Sequence, residues 1–137
     1  MAKETGLGWT TFSLDDSGGT PRAIINDITD ISFSTPRAVF DITGLDKSAF
    51  ERLLGLADFS CDANGVFSDV GATSAHTVCS TASSTSVERD LSMAVSGQTL
   101  AVKVFLTDLA YTRGADGALT FSAPMVGTGG AVPTWGT

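Results

Sequence analysis

His76 is the only histidine in a chain of 137 residues, and Cys61 and Cys79 are its only cysteines. These three supply the soft metal ligands and the strongest nucleophiles the chain possesses. Their spacings of fifteen and three residues match none of the usual zinc patterns. A capping or packing role for His76 is the expectation. A Cys–His nucleophile pair would also need an oxyanion donor, and the Ser/Thr-rich stretch around His76 and Cys79 offers no such loop. Asp15-Asp16 with Gly18-Gly19 lacks the alternating acidic ligands and terminal Glu of a calcium loop, so it reads as a solvated turn. The pairs Asp27/Asp30 and Asp58/Asp62 have acid–base chemistry in principle. With 15 acidic residues in the chain, close pairs arise by chance. Gly127-Thr128-Gly129-Gly130 has the glycines of a phosphate loop but neither the following Lys-Ser/Thr nor a helix behind it. It reads as a flexible connection. Trp9 and Trp135 suit buried anchors or subunit contacts better than ligand platforms. No catalytic, cofactor-binding or metal-binding set emerges, and the expectation is a protein that is not an enzyme and takes no cofactor.

The elements that hold these residues are mostly strands. Trp9 to Leu14 is rich in Thr and aromatics and stops at the turn cluster Asp15 to Gly19. Arg22 to Phe33 resumes with Ile24, Ile28, Ile31 and Phe33. Val87, Arg89, Leu91, Met93 and Val95 alternate with Glu88, Asp90, Ser92 and Ala94, the period of a half-buried strand. A turn at Gly97-Gln98 leads into Leu100 to Thr112, whose apolar residues fall on both faces and predict burial on both sides. Asp116-Gly117 turns the chain again into Ala118 to Val126, where Pro124 argues for a sheet edge. These successive strands predict an antiparallel meander.

One segment has a different period. From Asp46 to Ala57, Ala49, Phe50, Leu53, Leu54 and Ala57 recur at helical spacing, opposite Lys47, Ser48, Glu51 and Arg52. The spacing predicts a helix over 46–57 that packs Phe50, Leu53 and Leu54 onto the sheet, with Leu53→Ala costing about 2–5 kcal/mol. The fold expected is a mainly β single domain over 1–137. It is an antiparallel sandwich or open barrel with one flanking helix, a loose arm at 1–7 and a loose tail at 127–137.

Composition narrows the function. Apolar residues make up 42 % and charged residues 17 % of the chain, enough for a core and too little charge for disorder. The formal charge is −7, with 8 basic residues against 15 acidic, which disfavours a grip on nucleic acid or an anionic membrane. The opening MAKETGLGWTTF has no apolar run of signal-peptide length, and no stretch approaches the roughly 18 apolar residues of a membrane span. The expectation is a cytoplasm-like compartment of synthesis, with Cys61 and Cys79 as free thiols.

The order of several short motifs resembles the major tail tube proteins of long, non-contractile-tailed bacteriophages. They run Ile31-Ser32-Phe33, Phe40-Asp41-Ile42-Thr43, Phe50-Glu51-Arg52-Leu53-Leu54 and Asn64-Gly65-Val66-Phe67. Leu106-Thr107-Asp108, Tyr111-Thr112-Arg113 and Asp116-Gly117 then precede a closing strand, so the resemblance covers roughly residues 8 to 126. It implies a β-sandwich with a flanking helix, related also to the tubes of contractile tails and type VI secretion. It implies homo-hexameric rings stacked into a tube in the virion tail and assembled in the host bacterial cytoplasm. Neighbouring partners would be a tape-measure protein and other tail proteins, with DNA passing through the lumen and no membrane involved. Neither cofactor nor catalytic residue comes with that family. Glu88 and Asp90 are the lumen-facing candidates, because DNA slides best past an acidic or neutral wall. The alternative is a β-sandwich binding or adhesion module of a virion.

Overall fold

The structure, a computed structural model, describes residues 6–69, 71–128 and 132–136. Eleven strands are present among them: β1 Trp9–Asp15, β2 Pro21–Ala23, β3 Ile28–Ser34, β4 Arg37–Asp41, β5 Arg52–Ala57, β6 Ser60–Val66, β7 Glu88–Val95, β8 Gln98–Leu106, β9 Ala110–Arg113, β10 Leu119–Gly127 and β11 Trp135–Gly136. One short helix, α1, spans Ala75–Cys79. Nine strands form a single antiparallel sheet in the order β2-β1-β7-β8-β10-β6-β3, with β9 beside β10 and β11 beside β8. β4 and β5 pair only with each other.

The alternation in β7 works as its period requires. Arg89, Leu91 and Met93 are buried, while Glu88 and Asp90 face outward. Ser96 and Gly97, both at positive φ, make the two-residue turn from β7 into β8. That is the turn whose twist matches a hairpin, and it needs left-handed backbone at both positions. Facing strands add Phe12, Leu14, Cys61, Ala63, Val104, Phe121, Ala123 and Met125 to one core. The sheet wraps until its two margins meet through side chains, with Trp9 of β1 edge-on to Phe33 of β3 at 6.2 Å. Among the described residues no strand pairing joins those margins, so the barrel stays open.

Two strand expectations need correction. In β8, Leu100, Val104 and Leu106 are buried, but Ala101, Lys103 and Phe105 are exposed, so the strand is buried on one face only. β10 is interior, between β6 on one side and β8 and β9 on the other. Pro124 fits there because its carbonyl accepts from the Thr107 amide at 3.1 Å. A strand residue presents its amide and carbonyl to the same neighbour, so the missing N–H falls at the break between β8 and β9.

The helix predicted over 46–57 is absent; Arg52–Ala57 is β5 and the short helix lies at Ala75–Cys79. The register of β4 with β5 sets Val39 opposite Leu54, Phe40 opposite Leu53 and Asp41 opposite Arg52. Thr43 closes the connecting loop, accepting from the Glu51 amide through its hydroxyl at 2.8 Å. Arg37 donates through Nε to the Gly55 carbonyl at 2.8 Å. A twelve-residue helix is marginal without a face to bury, and Gly55 weakens this one further. The segment instead pairs with β4. Phe50, Leu53 and Leu54 therefore do not pack onto the core; they are 69, 55 and 58 % exposed. In the unassembled subunit Leu53→Ala is now expected to cost no more than about 0.5 kcal/mol. Leu91→Ala in the core is expected to cost about 2–5 kcal/mol. Urea melts of the two variants check this; a large loss at Leu53 would return it to the core.

The expected tail at 127–137 begins inside the sheet. Gly127 is the last residue of β10, and Trp135 of β11 pairs with Leu100 and lies 6.1 Å from the Phe33 ring. Within the two terminal segments, residues 1–5, 129–131 and 137 lie outside the described residues.

Candidate functional site

The residues with chemical potential end up apart. Cys61 sits in β6 and Cys79 in α1, both buried and free. Burial pushes the Cys61 thiol up to about 12 and the Cys79 thiol up to about 11, so neither forms a nucleophilic thiolate near neutral pH. His76 turns to the other side of α1, where its Nδ1 hydrogen-bonds the Tyr111 hydroxyl and its ring lies 4.9 Å from that of Phe67. Burial also holds the Tyr111 phenol above its ordinary value. Among the described residues, no group of three His, Cys, Asp or Glu side chains is placed to hold a metal ion.

α1 is pinned by two buried polar side chains. Asp27, just before β3, accepts from the Ala75 amide at 2.8 Å through Oδ2. Arg89 is 1 % exposed and donates through one Nη to the Asp15 carbonyl at 3.0 Å and the Val78 carbonyl at 2.7 Å. Its other Nη reaches the Thr81 hydroxyl at 3.1 Å. These bonds satisfy carbonyls that would otherwise be buried without partners. Arg89 occupies an inward position of the β7 alternation, and that placement is the signal for its structural role. Asp27 carried no such signal, because its partner lies 48 residues away.

The outward surface of the sheet carries carboxylates and hydroxyls, with the exposed Phe105 and Val126 beside Glu88. Glu88 and Asp90 stand on the same side of β7, and Lys103 of β8 lies between their carboxylates. Its Nζ is 3.0 Å from Asp90 Oδ1 and 3.7 Å from Glu88 Oε1. The hydrogen bond and charge of Asp90 raise the Lys103 pKa, with Glu88 adding to the effect. This lysine is already engaged by two carboxylates. Glu88 also bonds the Thr128 hydroxyl. On the β6–β3 half, Asp62 pairs with Ser32 and Asp30 with Asn64, whose amide donates to Asp30 Oδ1 at 2.6 Å. Ser and Thr hold many of the other outward positions, including Ser92, Thr99, Ser122 and Ser60. Both halves therefore carry more carboxylates than cations.

The second feature is the β4–β5 hairpin. Val39, Phe40, Ile42, Leu45, Phe50, Leu53, Leu54 and Leu56 are all exposed. Both faces of the hairpin are apolar and uncovered. A two-stranded hairpin in water is marginal by itself, and an apolar patch of this kind marks a contact surface.

No family model and no curated protein matches the chain. Solved structures do. A chain from the tail of an empty gene transfer agent particle, obtained by helical refinement with C6 symmetry, matches with a TM-score of 0.74. The match covers 98 % of this chain and 100 % of that one at 17 % identity. The fold is that of a tail chain. A chain from the virion of the native gene transfer agent particle matches equally, with a TM-score of 0.74, the same coverages and 14 % identity. Likeness over the whole of both chains at such low identity rests on the alternation and strand order described above, which tolerate exchange of nearly every side chain.

Proposed function

We propose that this protein is a structural subunit of a phage-type virion tail, assembling with copies of itself into six-membered rings that stack into a tube. The observation that carries the reading is the tail fold, matched end to end with a chain of a six-fold symmetric particle. The exposed β4–β5 hairpin supports it, since such a surface suits burial between subunits. The open sheet supports it too, because unpaired strand edges that close on neighbours lose their liability in an assembly. In this reading a tape-measure protein occupies the lumen before DNA passes through, and other tail proteins cap the tube. The subunit is made in the bacterial cytoplasm and delivered as part of the virion. Its role is mechanical, and no reaction is assigned to His76 or Cys79.

Sedimentation and negative-stain imaging of concentrated purified protein test the proposal. Rings or tubes of uniform width are expected. A folded monomer at every concentration would count against it and favour a virion binding module.

A further inference from the structure

Resting on the subunit reading above, we infer that the β4–β5 hairpin of one copy seats in an apolar groove of the next, the groove lined by Trp9, Phe12, Ile25, Ile28 and Ile31. That groove measures about 460 Å³ and lies where the open sheet fails to close, between β1 and the first half of β3. It is large enough for several side chains.

Three observations select a second copy as the occupant. The first is placement. The groove lies along Ile28–Ile31, whereas the hairpin leaves from Ser34 through Thr35 and Pro36 at the far end of the same strand. Hairpin and groove are thus two different patches of one subunit. Such an arrangement is heterologous, and it repeats from copy to copy as a ring or stack requires.

The second observation is charge. Residues 37–57 hold Arg37, Lys47 and Arg52 against Asp41, Asp46 and Glu51, so the formal −7 of the chain lies entirely outside the hairpin. The neutral hairpin can approach another acidic copy without the repulsion that the rest of the molecule would meet. The third is local complementarity. Val39 and Leu54 share one hairpin face with Asp41 and Arg52, which oppose each other and leave that face without net charge, and the groove walls are mostly apolar. Val39 and Leu54 can enter the groove with no unbalanced charge beside them.

Two variants with one added cysteine each test the contact: Leu54→Cys on the hairpin and Thr29→Cys on the groove wall, both at exposed positions. Cys61 and Cys79 are buried with thiols at about 12 and 11, so they stay silent under mild oxidation at pH 8. The variants are mixed, assembled and oxidised. A disulfide-linked dimer is expected in the mixture and not in either variant alone. Leu54→Asp should leave a folded monomer and raise the concentration needed for assembly at least about tenfold. Rings or tubes that form without the cross-link, or that form normally from Leu54→Asp, overturn this contact while leaving the subunit reading intact. Protein that never assembles overturns both.

Discussion

Gly65→Ala is expected to cost the subunit at least about 3 kcal/mol, a large share of the roughly 5–15 kcal/mol that holds a domain together. Gly65 sits in β6 between Ile28 of β3 and Phe121 of β10. A Cβ there would lie 2.0 Å from the Asp27 carbonyl oxygen and 2.8 and 2.9 Å from two carbons of the Phe121 ring. The carbonyl is backbone and cannot rotate aside. Moving Asp27 would also pull its carboxylate from the Ala75 amide, loosening α1 over the core. Gly97→Ala is the control. Nothing lies within 4 Å of its added Cβ, so only the left-handed φ of 84° is penalised, at about 1 kcal/mol. Thermal or urea melts of the two variants give the comparison. If Gly65→Ala melts with Gly97→Ala, the β3–β6 junction has room that the geometry denies it.

The same junction shows where the sequence was legible and where it was not. β1, β7 and β10 were readable because each has one face in water, which leaves a period of two. That period also placed Glu88 and Asp90 on the outward side, as the structure has them, and put Arg89 among the apolar positions. The hairpin lacks a local signature for a physical reason. A hairpin apolar on both faces has no alternation, and Ala49, Phe50, Leu53, Leu54 and Ala57 then fit a helical stripe by chance. Its strand character depends on pairing with Arg37–Asp41, a partner no local window contains. α1 was invisible for the opposite reason. Five residues are too few to show a period, and the segment is fixed by Asp27, just before β3, and by Arg89 of β7, both distant in sequence. The outward position of Asp30 and Asp62 likewise follows from cross-strand register. Local signals revealed the sheet; long-range pairing decided the surfaces that an assembly would use.

Reversing the charge of Glu88 and Asp90 is expected to turn a tube that ignores DNA into one that grips it. In the proposed tube each subunit brings a formal −7, and a ring of six brings six times that. Lys103 is the cation nearest these carboxylates, and both of them already hold it. A lining of this kind offers passing phosphates no free partner, and repulsion keeps the duplex off the wall. With Glu88→Lys and Asp90→Lys together, each subunit presents three lysines on the β7–β8 surface, and the six-fold ring multiplies them. Several phosphate contacts form at once, so affinity should fall about 10³-fold or more between roughly 50 and 200 mM salt. Wild-type tubes should bind a short duplex weakly even at low salt. Fluorescence anisotropy across a salt series measures both, on tubes assembled in the presence of the duplex. Nuclease digestion then separates lumen from exterior, because DNA held inside the tube is protected. Bound DNA that is digested would move the β7–β8 surface to the outside of the tube. The Asp30 and Asp62 surface would then be the lining to reverse next. Tight, salt-steep binding by the wild-type tube would overturn the acidic-wall account altogether, because passage would then require breaking a contact at every ring.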